Sequence, residues 1–277
     1  MKGRAVFAGL VALLLLAGAG VTAWRWLGDV GENAETLDTP LPVPPLPPRI
    51  AQGGAYEGCL AMLPADPQGA RTTAESWVTA GGGEAAEHCL ALAYIALGEP
   101  EEAAARLQRL ASGSKAPGAA RAALFDQAGQ AWLMAGDPNA AFAAASEAVA
   151  LAPDTPDLRV NRAVAAEALA RWAVAEADLT QALAVEPRRA DALVLRGAAR
   201  RHMDRLTAAQ DDIDRALALD GQNVEALLER GILRQRRNDP AGARADWERT
   251  IALAPDSQAA DLAQQNLALL DVGPPDR

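Results

Sequence analysis

Cys59 and Cys89 are the only two cysteines in the chain, and His88 adjoins the second. Those residue types suggest a disulfide, a metal site or a thiol nucleophile. Neighbours on a helix point roughly 100° apart, so His88 and Cys89 do not converge on one ion. The other histidine, His202, is distant in sequence, and no CxxC, CxxCH or HExxH pattern occurs. In an oxidising compartment the two cysteines form a natural Cys59–Cys89 disulfide, with two buried or free thiols as the alternative. "AGGGE" at 80–84 has neither the Lys-Ser/Thr nor the strand of a phosphate loop, and reads as a helix connection. "GCLAML" has neither the serine motif nor the strand of a nucleophile elbow. No carboxylate pair stands out from the many present. These residues point to no enzyme, no metal and no cofactor.

The formal net charge is -10, with a pI near 4.8, which argues against nucleic acid as a partner. Arg200, Arg201, Arg234, Arg236 and Arg237 are local basic spots that read as solvated helix surface. Aromatic residues make up only 4% of the chain, and much of the apolar content is alanine. Small side chains allow close helix packing and do not suggest one large core.

Lys2 and Arg4 precede an uncharged run from Ala5 to Trp24, and acidic residues follow. A helix of that length matches a hydrocarbon core of about 30 Å. The run predicts an uncleaved signal anchor over 5–24, with residues 1–4 cytoplasmic. The main domain is then periplasmic, on a single-pass inner-membrane protein, if the source is bacterial. The alternatives are a cleaved signal peptide, with Val21-Thr22-Ala23 near the cut, and a buried core helix. "TPLPVPPLPP" at 39–48 is incompatible with a regular helix. It makes 25–54 a semi-rigid extended linker, or else a ligand for a proline-recognising module.

After Gly54, apolar residues recur three or four apart in short segments broken by Gly, Pro, Asp or Asn. The pattern predicts helices over 57–63, 67–80, 84–97, 101–111, 118–135 and 138–151. Further helices are predicted over 156–170, 173–185, 190–203, 207–219, 224–236, 240–253 and 257–270. Four series of small or turn-forming residues repeat every 34 positions. They are Pro153/Pro187/Gly221/Pro255, Gly129/Ala163/Gly197/Gly231, Ala141/Ala175/Ala209/Ala243 and Ala148/Ala182/Ala216/Thr250. Four series in register mark a repeated helical hairpin. Gly or Ala lets its two helices approach, Pro ends it, and neighbouring hairpins cover each other.

This pattern resembles the tetratricopeptide repeat family in repeat length, small positions, second-helix aromatic and closing proline. In the last copy those positions are Gly231, Ala243, Trp247 and Pro255. The aromatic near each repeat start survives only as Phe125, with Arg159, Leu193 and Leu227 in the other copies. The expected fold is an all-α helical-hairpin solenoid. Its parts are an N-terminal helical region (55–83), a divergent repeat (84–121) and repeats over 122–155, 156–189, 190–223 and 224–256. A capping helix over 257–270 and a tail over 271–277 complete it. Arg162, Arg196 and Arg230 share one phase, and Asp178, Asp212 and Asp246 another. Each Arg is expected to pair with the Asp of its own repeat, against the alternative of exposed, unpaired charge. Ala128 and Ala144 replace both partners together in the copy before.

The resemblance implies a concave groove lined by first-helix residues. They are Asp126, Gln130, Val160, Val164, Glu167, Val194, Ala198, Arg201, Leu228, Ile232 and Gln235. Such a groove takes an extended peptide or a helix. The Lys/Asn arrangement of carboxylate-clamp members does not occur at these phases. The expected function is a membrane-tethered scaffold or adaptor that binds a protein or peptide in the cell envelope. The alternatives are a structural or assembly factor acting through the N-terminal helices or self-association, and an accessory subunit of an envelope enzyme.

Overall fold

The computed structural model describes residues 50–272. They form thirteen helices and fall into two compact units that divide after Asp154. In the first unit, α1 (Gly54–Met62), α2 (Pro67–Thr79), α3 (Gly83–Ala96), α4 (Pro100–Gly113), α5 (Gly118–Met134) and α6 (Pro138–Leu151) pack in chain order. The second unit holds α7 (Pro156–Ala168), α8 (Trp172–Val185), α9 (Ala190–His202) and α10 (Leu206–Leu219). It continues with α11 (Val224–Arg236), α12 (Pro240–Leu253) and α13 (Gln258–Val272). Each unit is a stack of antiparallel helix pairs, and the fold class is an all-α helical-hairpin solenoid.

Local chemistry sets where the helices begin. Asp66-Pro67, Asp137-Pro138 and Asp239-Pro240 each place an acceptor at the N-cap and a proline in the first turn. The three carboxylates accept from the backbone N–H three residues on, at 2.8–2.9 Å. Five first helices end alike. Residues 99, 137, 171, 205 and 239 each donate a backbone N–H to the carbonyl five residues earlier, at 2.8–2.9 Å. The residue just before each donor is left-handed: Gly98, Gly136, Ala170, Asp204 and Asn238, with φ between 54° and 78°.

Small residues then set how closely the pairs pack. A Cβ on Gly129 would come within 3.3 Å of the Ala141 carbonyl, and one on Gly197 within 2.8 Å of the Ile213 side-chain tip. On Gly231 it would overlap the Trp247 indole at 2.3 Å. Trp247 is fully buried, and its Nε1 donates to the Leu228 carbonyl at 3.2 Å. Ala259 and Ala263 of α13 close over it, so the last helix covers the end of the second unit's core.

One expectation needs correction. Among the described residues no helix is long and apolar enough to cross a membrane. The longest, α5, has 17 residues, and at 1.5 Å per residue it spans only about 25 Å. The anchor expected over 5–24 lies outside the described residues, as do residues 1–4, the linker up to 49 and the tail from 273. The membrane-tethered function, the membrane partner and the single-pass, periplasmic localisation are therefore not supported.

Candidate partner-binding face and its supporting ion pairs

In the second unit α7, α9 and α11 lie side by side as a row of first helices. Their register is held from behind by three buried aspartates on the second helices. Arg162 meets Asp178 through two bonds, Nε to Oδ2 at 2.7 Å and Nη2 to Oδ1 at 2.6 Å. Arg196 grips Asp212 in the same way at 2.8 and 2.7 Å, and Arg230 grips Asp246 at 2.9 and 2.7 Å. The planar guanidinium matches a carboxylate edge, which makes these pairs directional. In α5 and α6, Ala128 and Ala144 at the same phases are both fully buried.

Sequence reading missed the second cation of each cluster. Arg200 and Arg234, one turn after Arg196 and Arg230, donate Nη1 to Asp212 and Asp246 at 2.7 and 2.8 Å. Arg159, at the phase of the missing aromatic, lies 3.4 Å from Asp178 Oδ1. The signal was available, because Arg200 and Arg234 themselves lie 34 residues apart. From the Asp212 cluster two bonds reach the preceding hairpin: Arg196 Nη1 donates to Thr180 Oγ1 at 3.2 Å, and Arg200 Nε to Glu176 at 2.9 Å.

The expected groove residues separate by burial. Val160, Val194 and Leu228 are core residues, 4%, 7% and 7% exposed. Val164, Ala198 and Ile232 keep partial exposure, and Gln235 is exposed. Arg201 is not a free cation, since Nε and Nη2 take both oxygens of Glu229 at 2.6 and 3.1 Å. Glu167 lies near this pair, with Oε1 buried and without a hydrogen-bond partner. Desolvation, and next the charge of Glu229, raise its pKa to about 8, and Arg201 opposes them. In the first unit Gln130 Nε2 donates to Asp126 Oδ2 at 2.8 Å, so these two groove residues satisfy each other.

The first unit brings the two cysteines together: Cys59 of α1 and Cys89 of α3 are joined as a disulfide. His88 has a partner on each side. Its Nδ1 accepts from the Tyr56 hydroxyl at 2.5 Å, and its Nε2 donates to Gln127 Oε1 at 2.7 Å. Desolvation lowers the pKa of His88, more than the Gln127 bond raises it. Among the described residues no cluster of His, Cys, Asp and Glu could hold a metal ion.

No protein-family model and no curated protein sequence matches the chain. Solved structures do resemble it. MamA from Desulfovibrio magneticus RS-1, residue 41 to the end, aligns at TM-score 0.55 and 20% identity over 63% of this chain and 97% of that one. YrrB, a TPR protein with an unusual peptide-binding site, aligns at TM-score 0.53 and 16% identity over 70% of this chain and 97% of that one. The Cut9–Hcn1 hetero-tetramer of the APC/C gives TM-score 0.59 at 16% identity, over 96% of this chain and 49% of that one. At these identities the likeness concerns the fold, which is that of tetratricopeptide-type helical repeats.

Proposed function

We propose that the chain is a non-enzymatic repeat scaffold that binds a protein or peptide along the first-helix row of its second unit, and so acts as a structural or assembly factor. The observation that carries this is the row's construction. Buried Asp–Arg clusters fix α7, α9 and α11 from behind, while Val164, Ala198, Ile232 and Gln235 retain surface in front. Pre-organised surfaces lose less entropy on binding. The peptide-binding site of YrrB is a precedent for the fold. The test is selection of ligands from a displayed random-peptide library, followed by hydrogen exchange of the complex. Protection on α7, α9 and α11 supports the proposal. Protection confined to second helices, or to α1 and α2, overturns it.

Self-association is a second reading, favoured by Leu262 and Leu269 on α13. They are 40% and 68% exposed and lie seven residues apart on one helix. Residues at that spacing share a face. Light scattering of the purified chain against concentration tests it, with Leu269→Glu expected to abolish any dimer. A monomer at every concentration rejects it.

A further inference from the structure

By its own sequence α1 is a weak helix. It has nine residues, its N-cap Gly53 makes no side-chain cap, and it buries only Tyr56 and Cys59. A helix this short does not hold in water without tertiary support. Both buried residues are nevertheless only 2% exposed. Two of the attachments that hold them land on consecutive residues of α3. Cys59 is bonded to Cys89, and the Tyr56 hydroxyl donates to His88 Nδ1 at 2.5 Å. His88 is itself fixed from behind by Gln127 of α5.

We propose that the Cys59–Cys89 disulfide is a thiol-responsive latch, whose reduction by a dithiol releases α1 and leaves the other helices of the first unit folded. A thiolate of the dithiol attacks one cystine sulfur and forms a mixed disulfide. That attack expels the other cysteine as a thiolate, and the second thiolate of the dithiol then attacks the dithiol sulfur of the mixed disulfide and expels the remaining cysteine. Cys59 and Cys89 gain two electrons and two protons, and the dithiol leaves as its own disulfide. What then remains is non-covalent: the hydrogen bond and ring stacking of Tyr56 with His88, the packing of Leu60 and the contacts of α1 with α2. α3 does not depend on α1 to the same degree. Its Leu90 and Tyr94 pack in a cluster with Ala74 of α2 and Ala103 and Ala104 of α4. Arg71 and Arg106 also lie over the Tyr94 ring, at 4.8 and 5.2 Å.

Cys59 and Cys89 are 2% and 0% exposed, so a reductant reaches sulfur only when α1 opens. The response of the latch is therefore gated by that local opening. Release uncovers His88 and Cys89 on α3.

The test is hydrogen-exchange mass spectrometry of the full chain before and after dithiothreitol, with both free thiols verified by alkylation. Exchange in 54–62 is expected to accelerate by about tenfold or more, while α3 to α6 keep their protection. Unchanged protection of 54–62 in fully reduced protein overturns the proposal. So does loss of protection across 67–151, which would make the bond a staple of the whole unit. The Cys59→Ser/Cys89→Ser variant, without reductant, is expected to match the reduced protein. If it loses protection throughout the first unit, the latch is likewise overturned.

Discussion

Arg196 meets Asp212 edge to edge, Nε to Oδ2 at 2.8 Å and Nη2 to Oδ1 at 2.7 Å, and Arg200 adds a third bond at 2.7 Å. The Asp212 side chain is 1% exposed, so one desolvated carboxylate satisfies two guanidinium groups. Among the described residues, removing it takes the only carboxylate from Arg196, which keeps just Thr180, and leaves Arg200 with Glu176 alone as its anionic partner. Asp212→Ala is expected to destabilise the chain by about 3–5 kcal/mol in urea or thermal unfolding. The double replacement Arg196→Met/Asp212→Leu is expected to lose less than Asp212→Ala alone. A single-variant loss below about 0.5 kcal/mol, the range of ordinary surface changes, would mean the pair is incidental.

Gly231 and Gly129 occupy the same repeat phase but face different neighbours. Gly231→Ala drives a methyl into the buried, hydrogen-bonded indole of Trp247. A loss of about 1–3 kcal/mol is expected. Gly129→Ala meets the Ala141 carbonyl at 3.3 Å, and Ala145 N and Cβ at 3.5 and 3.7 Å, so a shift of a few tenths of an ångström relieves the contact. Its gain in helix propensity, up to about 1 kcal/mol, offsets that shift, so near-neutral stability is expected. Equal effects of the two variants on melting temperature would contradict this reading of the packing.

Ala170 adopts φ 54° in a turn where the preceding repeats carry Gly98 and Gly136. Its Cβ is strained there, and glycine is not. Ala170→Gly is expected to raise stability by roughly 0.5–1 kcal/mol, the reverse of the usual sign. Lower stability of the variant would show that the turn does not carry this strain.

Glu167 gives the fold a pH dependence opposite to that of most carboxylates. The folded chain holds its proton up to about 8, whereas an unfolded chain releases it near roughly 4.3. Below that lower value both states are protonated and there is no penalty. As pH rises between the two values the folded state binds the extra proton, so stability falls, and the loss is complete above about 8. Glu167→Gln removes this penalty. The difference in stability between variant and parent should grow from pH 5 to pH 8. A constant difference would place Glu167 in water. His88 acts at the acidic end. Its folded pKa is lowered, so its contribution is complete above the unfolded value near roughly 6.5 and is lost as pH falls.

Much of the fold was legible because helix periodicity and the 34-residue spacing of Gly, Ala and Pro are properties of the chain alone. The Asp-Pro starts are local capping chemistry. α1 begins three residues before the predicted 57, at Gly54, where tertiary attachment rather than propensity supports the helix. Nothing in the residue type of Ala170 marks a left-handed turn. Its phase with Gly136 does, once the repeat is known. The groove positions were harder. Val160, Val194 and Leu228 resemble accessible aliphatic residues in sequence, but close packing buries them. Arg201 was readable as a charge, whereas its capture by Glu229 depends on a partner 28 residues away.

The scaffold account is tested most directly by titrating a library-selected peptide against the chain and its Ile232→Glu variant, by fluorescence anisotropy. Ile232 is partly exposed on α11 and its inner side packs against the Leu228–Trp247 cluster, so the comparison is made on variant protein that keeps its helical circular dichroism. The account predicts at least about tenfold weaker binding, some 1.4 kcal/mol. Unchanged affinity in a folded variant would contradict it and move the binding surface away from the first-helix row.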